Sequence, residues 1–133
     1  MMKNILSALC LGALLAAGAA QAAGRVYFVE PQDGATVKSP FKVRFGLEGM
    51  AIAPAGDTKP DTGHHHLIID GSATPQGEVV PTDDSHRHFG KGQTETELTL
   101  PPGEHTLTLQ FANGAHQSYG EAMSSSIKVM VKP

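Results

Sequence analysis

At Phe41, Val43, Phe45 and Leu47 an apolar side chain recurs at every second position, with Lys42 and Arg44 between them. That period turns alternate side chains to opposite faces of an extended chain, so one face enters a core and the other meets water. The same alternation returns at Leu107, Leu109 and Phe111, and again at Ile127, Val129 and Val131. No segment shows a 3.6-residue apolar period, and Gly, Pro, Asn and Asp punctuate the intervals. The chain is therefore read as all-β, with strands expected over 25–30, 41–48, 64–70, 78–80, 94–100, 105–111 and 125–132. Seven short strands at these spacings predict an immunoglobulin-like β-sandwich. At the corner LPPGEHTL, His105 takes the place of the aromatic residue whose polar tip bonds back to the backbone upstream in such folds.

The N-terminus carries a different signal. Lys3 is followed by an apolar run from Ile5 to Ala17 and by the small-residue pattern Ala20-Gln21-Ala22. This predicts a secretory signal peptide over residues 1–22 and a single domain over 23–133. The apolar run falls short of the roughly 20 residues a membrane-spanning helix needs, so no membrane insertion is expected. Cys10 is the only cysteine and falls inside the leader, which leaves neither a disulfide nor a thiolate ligand for the exported part. The expected location is the periplasm or the exterior.

Beyond the leader, nine basic side chains face thirteen acidic ones, a net charge of about −4. That balance and the absence of a basic patch exclude nucleic acid as a partner. All seven histidines lie in this part: His64, His65, His66, His86, His88, His105 and His116. Residues i and i+2 of a strand share a face, so His64 and His66 point one way and His65 the other, and His86-Arg87-His88 repeats the arrangement.

Lettering the expected strands A to G places the triplet, His86, His88 and His116 at one end of the sandwich, with His105 apart. Imidazole suits zinc, copper, nickel and iron, and three or four imidazoles are enough to hold one ion. Met50 and Met123 fall at the same end, and thioethers select copper(I), which tilts the expected ion towards copper with zinc as the alternative. The expected ligands are therefore His64, His66, His86, His88, His116, Met50 and Met123, with Asp83 and Asp84 orienting ligating rings. The resulting expectation is a module that captures, buffers or delivers the ion, in exchange with a periplasmic metal-trafficking protein.

Two other functions fit the same loops: a protein- or glycan-binding module that needs no metal, and a zinc-dependent enzyme. Enzymatic chemistry has little support here. The chain has no nucleophile elbow and no phosphate-binding glycine loop, and loop acids such as Asp57, Asp61 and Glu121 are ordinary solvated residues.

Four stretches, PQDGATVKSPFKVRFGLEGM, GHHHLIID, HRHFGKGQTETELTLPPGEHTLTLQFA and SSIKVMV, resemble an uncharacterised family of small exported bacterial domains. The resemblance covers nearly all of the expected mature chain and implies no activity. A more distant likeness, through the PQDGAT turn, is to the periplasmic copper-resistance protein C family, β-sandwiches that bind copper through histidine and methionine. The expected mature start, Ala23-Gly24-Arg25, lacks the terminal histidine of that family.

Overall fold

The computed structural model describes residues 24–133, and the expected signal peptide lies outside them. The described chain contains two β-sheets and one 3-10 turn, Glu121–Met123. The strands are β1 (Arg25–Glu30), β2 (Ala35–Lys38), β3 (Phe41–Glu48), β4 (Ala51–Ile52), β5 (Thr62–Ile69), β6 (His86–His88), β7 (Glu95–Leu98), β8 (Gly103–Ala112) and β9 (Ser124–Lys132). One sheet has the order β1-β3-β7; the other has the order β2-β9-β8-β5-β4, and β6 also pairs with β5. No described helix is long and apolar enough to cross a membrane.

The alternating runs behave as their periods require. Leu107, Leu109 and Phe111 are wholly buried, Ile127, Val129 and Val131 nearly so, and they meet Phe41, Val43 and Phe45 from the facing sheet. Each such side chain contributes about 1.5–3 kcal/mol by leaving water. The antiparallel register of β8 and β9 runs unbroken from Gly103↔Val131 to Gln110↔Ser124, which keeps both sets on the same inner face.

The strand count departs from the expected seven. Residues 78–80 do not form a strand; Val79 makes one isolated bridge to Gln117 and remains 62% exposed, because Gly77 and Pro81 break the run on either side. Three short strands replace it. β2 runs parallel to β9, β4 runs parallel to the start of β5, and His86–His88, expected as loop, pairs antiparallel with His66–Ile68. All three are two to four residues long, too short for a period to show in the sequence.

The corner histidine meets its expectation. His105 Nε2 lies 2.7 Å from the carbonyl oxygen of Pro101, and Nδ1 lies 2.8 Å from Asp70 Oδ2, while Asp70 Oδ1 accepts the Thr106 N–H at 2.9 Å. Both acceptors require a donor, so the ring satisfies both bonds only as an imidazolium. The hydrogen bond to Asp70 accordingly raises the His105 pKa against the opposing effect of burial. Partial burial raises the Asp70 carboxyl, but the bonds from His105 and Thr106 outweigh it and leave it below its ordinary value.

A group whose folded pKa is raised stabilises fully below its unfolded value and loses that contribution as pH rises through the folded one. For the pair the window runs from Asp70's lowered pKa up to His105's raised one. His105→Ala is expected to cost about 1–2 kcal/mol near pH 5.5 and less near pH 9. Urea unfolding of wild type and variant at both pH values measures this, and a cost independent of pH would contradict a charged corner.

Candidate metal centre

Strand parity sets the histidine triplet. His65 points between the sheets, with its ring centroid 5.1 Å from that of Phe45 and 5.3 Å from that of Phe111. His64 and His66 therefore face the outer side of β5, where both are fully buried, with the rings of His88 on β6 and His116 beyond β8 among their neighbours. Across the β5–β6 pair His88 stands opposite His66, so its ring joins the same face.

The fourth ring comes from a turn. Residues 113–117 close on Asn113, whose Oδ1 accepts the N–H groups of Ala115 (3.0 Å) and Gln117 (2.9 Å) and whose carbonyl accepts that of His116 at 2.8 Å. These bonds hold His116 at φ 63°, a left-handed conformation that a histidine adopts only at a cost. Tyr119 anchors the returning chain, its hydroxyl donating to the Thr62 carbonyl at 2.7 Å.

The result is a compact group of four imidazoles. Ring centroids are 4.8 Å apart for His64 and His66, 4.9 Å for His64 and His88, and 4.7 Å for His88 and His116. One ligand nitrogen from each of His64, His66, His88 and His116 lies within 4.8 Å of all the others. His64 Nε2 stands 3.1 Å from both His116 Nδ1 and His88 Nε2. Four nitrogens bound tetrahedrally at about 2.0–2.1 Å from an ion stand about 3.3 Å apart, so small ring rotations complete such a shell.

Electrostatics prepares the nitrogens for a cation. Burial, reinforced by neighbouring imidazoles, lowers the pKa of His64 to about 4 and that of His66 to about 3, and His88 is lowered for the same reason. These rings are neutral at pH 7, so their lone pairs are available without displacing a proton. Buried polar atoms ordinarily find partners, yet both nitrogens of His66, His64 Nδ1 and both nitrogens of the core residue His65 have none within the protein. A cation among the four rings would engage His64 Nε2, the nitrogen that faces His88 and His116, and the facing nitrogen of His66.

The remaining expected ligands are placed elsewhere. His86 stays outside the group because its Nδ1 is held 2.7 Å from Asp83 Oδ1. The carboxylate of Asp83, bonded by His86 and Ser85, has a pKa lowered to about 2. Asp84 is exposed and offers its backbone carbonyl to Arg87 at 3.2 Å, so it does not orient a ligating ring. Met123 is 3% exposed within the core and Met50 packs against that core, both thioether chains lying against Gly24, so neither enters the histidine group.

Several positioning residues had no motif to reveal them. Gly90 lies so close to the His88 ring that a Cβ there would stand 2.3 Å from its Cε1. Gln110, opposite His66, is wholly buried, accepts the Thr74 N–H at 3.1 Å and donates to the Gly120 carbonyl at 3.0 Å, which ties the covering segments to β8. The Asn113-Gly114 dipeptide is the one legible signal among them, as a turn.

Fold and site together define a β-sandwich domain with a four-histidine group suited to a metal ion. The chain belongs to the family described as a domain of unknown function, DUF4399, whose profile matches residues 43–132. No curated protein matches the chain significantly. Among solved structures it is similar to the endo-beta-1,4-mannanase from Thermotoga petrophila, at 18% identity and a TM-score of 0.50, over 82% of this chain and 20% of that one. At that identity the likeness concerns the fold alone, and this chain spans a fifth of the mannanase structure.

Proposed function

We propose that this chain is an exported, periplasmic metal-binding module that captures, buffers or hands on one transition-metal ion, copper ahead of zinc, through His64, His66, His88 and His116. The observation that carries the reading is the convergence of four ligand nitrogens within 4.8 Å of one another. Four imidazoles fill a tetrahedral shell, whereas catalytic zinc keeps a position for water or substrate. Holding an ion therefore suits this site better than hydrolysis does.

Copper rests on the affinity order of divalent ions, which places copper(II) above zinc for a nitrogen site, whereas a strictly tetrahedral shell is the geometry of zinc. Capture and release rest on an asymmetry in cover. His64 and His66 are fully enclosed, while His88 is exposed and His116 half-buried, so an ion meets the site from their side. Export rests on the leader pattern of residues 1–22.

Titration of the metal-free mature protein with copper(II) and zinc tests the reading. One equivalent should bind, copper(II) more tightly, with several imidazole nitrogens visible in the copper(II) paramagnetic resonance spectrum. His64→Ala/His66→Ala should lose that binding. Failure of the wild type to hold either ion more tightly than about 10 μM would sink the proposal.

A further inference from the structure

His86 lies outside the four-ring group, yet it shares with His88 one face of one short edge strand. His88 pairs with His66 and His86 with Ile68, one step further along the same sheet face. Residues at i and i+2 of a strand stand about 7 Å apart, so the two rings border the same approach. Both are reachable from solvent: His88 is exposed, and the His86 side chain keeps 19% of its surface.

The His86 ring is held in one orientation. Its Nδ1 lies 2.7 Å from Asp83 Oδ1 and 3.1 Å from Ser85 Oγ, and the same Asp83 oxygen accepts Ser85 N–H and Oγ–H, each at 2.9 Å. The backbone completes the turn, His86 N–H donating to the Asp83 carbonyl at 3.2 Å. A carboxylate that takes the Nδ1 proton fixes the tautomer with its lone pair on Nε2, the arrangement by which outer carboxylates raise the basicity of ligating imidazoles. A turn needs Asp83 and Ser85 for its own geometry; it does not need an imidazole whose Nδ1 is locked by that carboxylate two residues from a ligand.

We propose that His86, positioned by Asp83, is the loading ligand of the centre: an arriving ion binds His86 Nε2 together with His88 and then exchanges His86 for the buried nitrogens of His64 and His66. Delivery runs the same exchange backwards. The inference rests on the four-histidine reading and names the route into that site. A ligand used only on the route lowers the barrier in both directions and leaves the equilibrium where it was, whereas a resident ligand changes the equilibrium itself.

Stopped-flow binding of copper(II) to the mature protein, and its removal by a competing chelator, test this on wild type, His86→Ala and Asp83→Asn. Asp83→Asn retains the turn-forming side chain and removes the carboxylate, so it guards against loss of β6. In His86→Ala the association and dissociation rates should fall together, about tenfold, with Kd within about threefold of wild type, and Asp83→Asn should show a smaller effect of the same form. Unchanged rates in both variants, with wild type still holding one equivalent through His64 and His66, would overturn the loading role alone. So would a Kd raised tenfold or more through dissociation only, which makes His86 resident. A wild type that binds no ion overturns both readings.

Discussion

Copper(II) in excess over the mature protein is expected to raise its melting temperature by on the order of 15 °C, and a chelator to reverse the shift. The size follows from linkage: an ion that binds only the folded state, present at about 1,000 times its Kd, adds about 4 kcal/mol. A domain of this length shifts by roughly 4–5 °C per kcal/mol. His66→Leu removes the shift, but the metal-free variant is expected to melt at or above metal-free wild type. The reason lies in the unpartnered nitrogens: His66 is fully buried and neither ring nitrogen has a partner in the protein. Replacing such a group by an apolar one of similar volume removes a desolvation cost without removing a bond. Differential scanning calorimetry with and without copper(II) decides it, and a metal-free variant much less stable than wild type would mean that His66 serves the fold rather than the ion.

The largest loss of stability is expected from a methyl group. Gly63→Ala, one residue before the triplet, should cost at least about 3 kcal/mol and lower the melting temperature by more than about 10 °C. A Cβ at Gly63 would stand 2.0 Å from the Ala112 carbonyl oxygen and 2.9 Å from its carbon. Both are backbone atoms in a paired strand, so no flexible side chain is available to swing aside. Relief requires β5 and β8 to part where His64 pairs with Ala112, and the Ala53 N–H also loses its acceptor geometry on the Gly63 carbonyl at 2.8 Å. Gly34→Ala serves as the control. That glycine has a left-handed φ of 80° but open space around its Cβ direction, so it should lose only about 1 kcal/mol from backbone strain. Equal losses at the two positions would contradict the close approach.

Reading the sequence succeeded where a period is long enough to repeat. The alternation in β3, β8 and β9 specified their faces, and the same parity separated His65 from His64 and His66 before any coordinates. It failed for β2, β4 and β6, whose pairing is decided by partners distant in sequence. The site was legible as a set of histidines and not as a geometry. H-x-H put His86 and His88 on an equal footing; the pairing of His88 with His66 and of His86 with Ile68, and the Asp83 bond, distinguish them. A thioether beside a loop and one filling a gap in a core look alike in sequence, and the structure places Met123 in the core and Met50 against it. Met123 packs with Val26 and Phe45 in the core.

His65 gives the triplet a further meaning. It belongs to the hydrophobic interior between Phe45 and Phe111, while its two neighbours belong to the four-histidine group. Moving β5 by one residue against β8 would exchange these fates, sending two imidazoles into the interior and turning one outward. The chemistry of this strand is thus carried by whether a residue number is even or odd. An insertion of a single residue immediately before or after the triplet would unmake the group of four rings while keeping every histidine.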